Sequence, residues 1–401
     1  MSSNLELQDA AVLPQGFRAT GVHCGVKPDT LDLALFVSDT PAEGAGMFTT
    51  NRVPAACVDL CRERLAGGGT YRAIVVNSGN ANACTGAQGR SDAAAMAIAA
   101  AASLGIGPME VLVSSTGTIG IPLPMECITR GITEAAASVT GDGGSSAVRA
   151  IMTTDTLPKH LTTTLVAGDR AVRVTGVAKG AGMIHPGMAT MLTYLFTDAA
   201  VEPAALLSCL AESVRESFNR ITVDGDRSTN DSVIFLANGM AGNRPLKPGD
   251  PGWEGFREAV DQIALGLALK IVRDGEGSSR LVTVQVRGAA DAEDADRVAR
   301  TVGNSLLIKT SWAGGDPNWG RVLCAVGYAG AAIRPERVDV MYDDVPAVRG
   351  GEAAGTEPHA LRAVTAQPAF TLTIDLHEGE GVGTVYACDT TEAYVKINVE
   401  E

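Results

Sequence analysis

The most restrictive feature of this 401-residue sequence is a segment rich in glycine and methionine in the middle of the chain, Lys179 to Leu192. Within it, Thr190 directly follows Ala189. If the protein cut the bond between them, Thr190 would gain a free α-amine beside its own hydroxyl, so that one residue would hold both nucleophile and base. An α-amine has an ordinary pKa of about 7.7–8.0, so part of it is neutral near pH 7 and can accept the hydroxyl proton.

The segment by itself leaves an ordinary structural interpretation open. Most threonines in glycine-rich loops only cap or turn the chain. The hypothesis of a stored N-terminal nucleophile therefore depends on what the rest of the sequence contains.

Composition indicates a soluble globular protein that is long enough for two structural units, because 45% of its residues are hydrophobic and 19% are charged. The net charge of −14 disfavours nucleic acid and anionic membranes as partners. The N-terminus has no basic segment followed by an apolar one, and the most apolar run, Ala93–Gly107, is too short to span a bilayer. We therefore expect a cytoplasmic protein.

The eight cysteines are scattered and form no Cys-x-x-Cys pair. Since zinc sites need closely spaced nitrogen and sulfur ligands, we expect free thiols, no metal and no cofactor. Asp224 and Asp226 resemble half a calcium loop, but the twelfth position is Phe235, so hydrogen bonding or helix capping is the better interpretation.

Apolar periodicity predicts a mixed α/β protein. Ser91 is expected to cap an alanine-rich helix that ends near Gly105, and two strands near the C-terminus are expected to form a hairpin. The predicted strands cover 31–37, 73–77, 111–115, 282–286, 370–376 and 385–387, and further helices cover 203–218 and 256–272.

Taken together, a series of short stretches resembles the ornithine acetyltransferases, also called glutamate N-acetyltransferases, of the cyclic arginine pathway. They occur in the family's order and cover nearly the whole chain. The stretches are Met47-Phe-Thr-Thr-Asn51, Asn77-Ser-Gly-Asn-Ala-Asn-Ala-Cys-Thr-Gly86, Ser115-Thr-Gly117, Ala150-Ile-Met-Thr-Thr-Asp155, Lys179–Leu192, Ser217-Phe-Asn-Arg-Ile-Thr-Val-Asp-Gly-Asp226, Ser228-Thr-Asn-Asp231, Asp274-Gly-Glu-Gly277 and Asp316-Pro-Asn-Trp-Gly-Arg321.

The resemblance implies that the precursor cleaves itself between Ala189 and Thr190. The products would be an alpha chain, 1–189, and a beta chain, 190–401, which stay associated in a heterotetramer of two alpha and two beta chains. The implied fold is a layered α-β-β-α sandwich related to the N-terminal nucleophile amidohydrolases, with a smaller C-terminal α/β part.

The resemblance assigns the oxyanion hole to the hydroxyl of Thr116 and the backbone N–H of Gly117. Acyl transfer needs such donors where negative charge develops. From the residues alone, an ordinary turn at the end of a strand is the favoured interpretation of Ser115-Thr-Gly117.

The resemblance also implies the substrate contacts, which are Thr153, Lys179, Thr190, Glu276 and Asn398. Charge complementarity pairs Lys179 with the carboxylate of N-acetylornithine and Glu276 with its terminal ammonium. Exposed loop charges are the alternative interpretation of both residues.

The implied reaction moves an acetyl group from N-acetylornithine to glutamate through an acetyl ester on Thr190. Some family members also use acetyl-CoA, which the sequence leaves open. A related amidohydrolase or aminopeptidase, an acetyltransferase of a specialised pathway, and a non-catalytic binding protein remain alternatives. The chain departs from the family at Asn398-Val-Glu-Glu401, where the family has a Tyr and a last Thr that reaches the substrate. We expect this difference to affect substrate affinity rather than self-cleavage.

Overall fold

The computed structural model describes residues 5–185 and 191–400. The chain divides into two compact units. Unit 1 consists of residues up to Gly180, Gly187–Asn219 and Arg227–Ile271, and unit 2 consists of Ala181–Pro186, Arg220–Asp226 and Val272–Glu401.

Unit 1 is built on one mixed sheet, with the strand order β4-β3-β2-β9-β7-β6-β5, and β1 also pairs with β2. The pairs β3/β4 and β7/β9 are parallel, whereas the others are antiparallel. Its strands are β1 Phe17–Val22, β2 Leu33–Phe48, β3 Thr70–Asn80, β4 Val111–Thr118, β5 Lys159–Ala167, β6 Arg170–Lys179, β7 Leu192–Thr197 and β9 Ser232–Ala237.

The central strands of this sheet are buried on both faces. In β3, Ile74 and Val76 enter one apolar core while Ala73 and Val75 enter another, as the two-residue period of a strand requires. Helices cover the sheet and supply the apolar partners that such a two-sided core needs. The helices are α1 Ala56–Ala66, α2 Gly86–Leu104, α3 Met125–Ser138, α4 Gly144–Ile151, α5 Pro203–Glu216 and α6 Trp253–Arg273, whose last two residues belong to unit 2.

Unit 2 has its own mixed sheet, in the order β13-β12-β11-β14-β10-β15-β8. Along β10, Val282, Val284 and Val286 are fully buried in a core that also contains Val298 and Trp312. The strands are β8 Ile221–Thr222, β10 Leu281–Ala289, β11 Asp339–Tyr342, β12 Val345–Arg349, β13 Glu352–Ala353, β14 Ala369–Asp375 and β15 Gly381–Cys388. The helices are α7 Ala292–Gly303, α8 Leu306–Ala313, α9 Trp319–Tyr328, α10 Pro358–Thr365 and α11 Glu392–Glu400.

These two mixed sheets with their helices confirm the mixed α/β prediction and the smaller C-terminal α/β part. Each predicted strand and helix is present, usually longer than expected. Gly105 ends α2 in the left-handed conformation, with φ 68°, as a C-terminal glycine commonly does.

Two local predictions are wrong. Helix α2 begins at Gly86 rather than after Ser91, because its first turn is mostly exposed and so carries no apolar periodicity. Strands β14 and β15 do not form a hairpin with each other. Instead β10 lies between them, parallel to β14 and antiparallel to β15, since alternation predicts a strand but not its partner.

The predicted cleavage boundary does not coincide with the boundary of the units. Strands β7 and β9, which follow residue 190, lie in the sheet of unit 1 between β2 and β6, which precede residue 189. Both predicted chains therefore contribute strands to one sheet. Within the described ranges, every helix is too short or too polar to cross a bilayer.

Candidate active site

A buried lysine brings together three of the predicted site residues in unit 1. Lys179, the last residue of β6, donates from Nζ to Oγ1 of Thr153 at 2.8 Å and to Oγ1 of Thr116 at 3.2 Å. Lys179 and Thr116 are each only 2% exposed. The alternative of an exposed loop charge is therefore wrong for Lys179.

A carboxylate that the sequence analysis missed balances this charge. Asp155 Oδ1 lies 2.6 Å from Lys159 Nζ and accepts the Gly180 N–H at 2.7 Å. Burial raises the pKa of Asp155, but Lys179, Lys159 and the Gly180 N–H outweigh burial, so that the pKa lies below its ordinary value. The carboxylate is thus ionised in a buried position beside two lysines.

The backbone around Gly117 requires glycine. Gly117 has φ +130°, and a β-carbon there would lie 2.3 Å from the carbonyl carbon of Gly79 and 2.5 Å from the nitrogen of Asn80. The pairing of β3 with β4 also shifts at this point, where Asn80 is opposite both Thr116 and Thr118. Such irregular pairings are common beside active sites, because they redirect the backbone groups of a strand.

The predicted residues Ala189 and Thr190 lie outside the described residues. The chain is described again from Met191, whose N–H donates to Oδ1 of Asp231 at 3.0 Å. Asp231 is fully buried, and Oδ2 of its carboxyl group has no hydrogen-bond partner among residues 5–185 and 191–400. Burial raises the pKa of Asp231 well above its ordinary value.

The neighbouring side chain of Asn230 is also buried. Its Nδ2 donates to the carbonyl oxygens of Ala81 at 2.6 Å and Ser115 at 2.8 Å. The stretch Ser228–Asp231 is part of the resemblance but has no predicted role. The only feature of the sequence that points to this stretch is its resemblance to the family, because hydrogen bonds to backbone groups leave no pattern in a sequence.

Two further predicted residues come together in unit 2. Asn398, on α11, donates from Nδ2 to Oε2 of Glu276 at 2.8 Å, and Glu276 is 7% exposed. A β-carbon on Gly182 would lie 2.2 Å from the Glu276 carboxylate. Glycine at 182 therefore leaves the room that this carboxylate occupies, and the alternative of an exposed loop charge is wrong for Glu276 as well.

Asp224 has the structural role that its sequence indicated. Its carboxylate accepts the N–H groups of Met183 at 2.5 Å, Ile184 at 2.9 Å and Asp226 at 3.0 Å. Burial raises the pKa of Asp224, although these N–H groups oppose the shift. Asp224 thus fixes the backbone at Met183 and Ile184, a few residues before the predicted cleavage point.

Known proteins that are similar in sequence identify the family of this chain. The sequence profile of the ArgJ family matches residues 18–400. The arginine biosynthesis bifunctional proteins ArgJ of Symbiobacterium thermophilum and Geobacter sulfurreducens are each 48% identical to this chain, over 98% and 96% of it and 98% of each relative. This chain therefore belongs to the ArgJ family.

A solved structure that is similar to this chain is that of the ornithine acetyltransferase of Mycobacterium tuberculosis complexed with ornithine. It is 40% identical and matches 47% of this chain and 100% of that chain, with a TM-score of 0.43.

Proposed function

We propose that this protein transfers the acetyl group of N-acetylornithine to glutamate through an acetyl ester on Thr190. The protein is an ornithine acetyltransferase of arginine biosynthesis, like the other members of its family. The observation that carries the residue assignment is the buried Lys179, hydrogen-bonded to both Thr116 and Thr153.

The nucleophile is generated by self-cleavage. Oγ1 of Thr190 attacks the carbonyl carbon of Ala189, the acyl group moves from nitrogen to oxygen, and water hydrolyses the resulting ester. The products are a carboxylate on Ala189 and a free α-amine on Thr190. The sheet of unit 1 supports the prediction that chains 1–189 and 190–401 stay associated, since β9 pairs with β2 and β7 pairs with β6.

Acetyl transfer then follows in two steps. The α-amine of Thr190 takes the hydroxyl proton while the oxygen attacks the acetyl carbonyl of N-acetylornithine, and ornithine leaves with that proton. The amine of glutamate next attacks the acetyl ester, which gives N-acetylglutamate and restores the Thr190 hydroxyl. One amide is exchanged for another, so the reaction requires neither ATP nor a metal.

Thr116 and Gly117 would stabilise the oxyanion in both steps. A threonine hydroxyl has one hydrogen to donate and can accept as well. Because Thr116 Oγ1 accepts from the Lys179 ammonium, its own hydrogen can be donated to the substrate oxygen, and the nearby positive charge strengthens that donation.

The charged ends of the substrate are assigned by complementarity. We assign the α-carboxylate to Lys179, with Thr153 beside it, and the terminal ammonium to Glu276. The hydrogen bond from Asn398 supports this assignment, because it holds the Glu276 carboxylate in one orientation.

Three broader properties belong to the same proposal. The protein acts in the cytoplasm as a heterotetramer of two alpha and two beta chains. Its substrates are N-acetylornithine and glutamate. Whether acetyl-CoA is a second acetyl donor is decided by the assay described below.

The first experiment measures the intact mass and the N-terminal sequences of the purified protein. We expect two chains, the second beginning Thr190-Met191-Leu192. A Thr190→Ala variant should remain one chain of 41.2 kDa, while Thr190→Ser should still be cut, because serine keeps the hydroxyl. An uncut wild-type chain would contradict the mechanism.

The cleaved enzyme is then incubated with N-acetylornithine, with and without glutamate. We expect N-acetylglutamate to form only when glutamate is present, with little free acetate. Acetate release that does not depend on glutamate would instead identify a hydrolase. Replacing N-acetylornithine with acetyl-CoA in the same assay tests the second donor.

A further inference from the structure

Two adjacent buried side chains connect the backbone of Met191, the residue after the proposed nucleophile, with the backbone at the proposed oxyanion donors. They are Asn230, which is 4% exposed, and Asp231, which is fully buried. Both lie in unit 1, immediately before β9.

Asp231 acts on the backbone of Met191, which follows Thr190 in the sequence. Its Oδ1 accepts the N–H of Met191 at 3.0 Å. A peptide group is planar, so a hydrogen bond to the Met191 N–H restricts how the backbone can rotate at Met191. The N–H of Ser232 donates to the Met191 carbonyl at 3.1 Å, which holds the other side of Met191.

Asn230 acts in the same way on the peptide group that precedes Thr116. Its Nδ2 donates to the Ser115 carbonyl at 2.8 Å. The Ser115 carbonyl and the Thr116 N–H belong to one planar group, so this bond orients the backbone of Thr116. The Thr229 hydroxyl donates to Oδ1 of Asn230 at 2.5 Å, which leaves Nδ2 as the donor toward Ser115.

We propose that Asn230 and Asp231 form one positioning element, which fixes the backbone N–H of Met191 relative to the Ser115–Thr116 peptide group for self-cleavage and for acetyl transfer. This inference rests on the proposed function, because it assumes that Thr190 is the nucleophile. Neither side chain needs to touch the substrate.

Burial and protonation are consistent with this role. Burial raises the pKa of Asp231, which favours a neutral carboxyl group, and a neutral carboxyl still accepts the Met191 N–H through its carbonyl oxygen. Asparagine has nearly the same shape and the same acceptor oxygen. Asp231→Asn is therefore the conservative variant, and Asp231→Ala removes the acceptor.

The matched control is Asp198, another buried carboxylate of unit 1 that accepts two backbone N–H groups. Its partners are Arg173 at 2.8 Å and Gln15 at 3.1 Å, and it is 6% exposed. Asp198→Ala therefore reports the general effect of losing a buried backbone acceptor in this unit.

The experiment measures the rate of self-cleavage, kcat, KM and thermal stability for the variants at 231 and 198. We expect Asp231→Ala to slow self-cleavage by about 100-fold and to lower kcat of the cleaved protein by about as much without changing KM, since a misplacement of about 1 Å can cost that much in rate. Asp231→Asn should restore both rates. Asp198→Ala should lose a similar amount of stability while keeping the wild-type rates.

If Asp231→Ala behaves like Asp198→Ala, or if Asp231→Asn is as slow as Asp231→Ala, the positioning role is wrong. If Asp231→Ala does not fold, Asn230→Ala decides the question. A lowered kcat with unchanged KM supports the proposal, and wild-type kinetics overturn it.

Failure of the proposed function is recognised separately, in the wild-type protein. A wild-type protein that is not cut before Thr190, or that does not transfer acetyl groups, overturns the proposed function and this inference with it. A wild-type protein that does both, beside an Asp231→Ala variant with normal rates, overturns only the positioning role.

Discussion

Buried charge near the predicted site residues is stabilised differently in the two units. In unit 1, Asp155 lies beside Lys159 and Lys179, which hold the pKa of its carboxyl group below the ordinary value despite burial. In unit 2, Asp224 is surrounded by backbone N–H groups and a second carboxylate, Asp226, and burial raises its pKa. We call Asp155, Lys159 and Lys179 the cationic cluster, and the unit 2 carboxylates Asp224, Asp226 and Glu276, which all add to burial in raising the pKa of Tyr394, the acidic cluster.

This difference corresponds to the two ends of the proposed substrate. A cationic cluster attracts a carboxylate, and an acidic cluster attracts an ammonium group. An amino acid with a charged side chain presents both groups. Under the proposed function, the two ends of the substrate are thus assigned to parts of the chain that differ in their electrostatic environment.

The largest effect is expected when the cationic cluster loses Lys179. Lys179→Met removes the donor to Thr116 and Thr153, and we expect kcat/KM to fall by about 10²–10³-fold, the usual loss for a disabled oxyanion donor. Lys159→Met is the control, because it removes the other lysine beside Asp155 but leaves these two contacts. Steady-state kinetics on folded, cleaved protein make the comparison, and an equal loss in both variants would show that Lys179 acts only through Asp155.

A smaller and more selective effect is expected in the acidic cluster. Glu276→Gln keeps an acceptor oxygen for Asn398 but removes the charge, so KM for N-acetylornithine should rise by about 10-fold or more, since a hydrogen bond to a charged group contributes about 1.5–3 kcal/mol. Asn398→Ala, which keeps the charge, should raise KM less. An unchanged KM in Glu276→Gln would assign the ammonium to another group.

The smallest effect is a difference in how stability depends on pH. Asp155 has a lowered pKa in the folded protein, so its contribution to stability is complete above the unfolded-state pKa and is lost as pH falls through the folded-state pKa. Asp224 has a raised pKa, so the folded state loses stability as pH rises from the unfolded-state pKa through the folded-state pKa.

Asp155→Asn should therefore destabilise the protein most near neutral pH. The stability of Asp224→Asn relative to wild type should instead increase as pH rises from about 4. Melting temperatures are measured from pH 3 to 7.5, and those of each variant should differ from wild type by a few degrees. If the difference in melting temperature from wild type changes with pH in the same way for both variants, the electrostatic contrast between the clusters is wrong.

Much of the fold could be predicted from the sequence because apolar periodicity is local. The alternation of Val282, Val284 and Val286 predicts a half-buried strand, and β10 has that form. The partners of a strand depend on distant residues, so the position of β10 between β14 and β15 could not be predicted.

Some residues of the candidate site could likewise be predicted from the sequence, and others could not. Lys179 and Glu276 were identified because the stretches that carry them resemble a known family, and both are buried and hydrogen-bonded. Asp155 and Asp231 were missed, because a carboxylate that accepts a backbone N–H has no characteristic neighbours in sequence. Roles of this kind become visible only when residues far apart in the chain are placed side by side.

The position of β7 and β9 between β2 and β6 has a consequence for how the protein is synthesised. While the ribosome still holds the second half of the chain, β2 and β6 have edges whose final neighbours have not yet emerged. Unpaired strand edges promote aggregation. A gene divided at the proposed cleavage point would prolong that exposure. Under the proposed function, the covalent link between the two halves therefore aids assembly before it is cut.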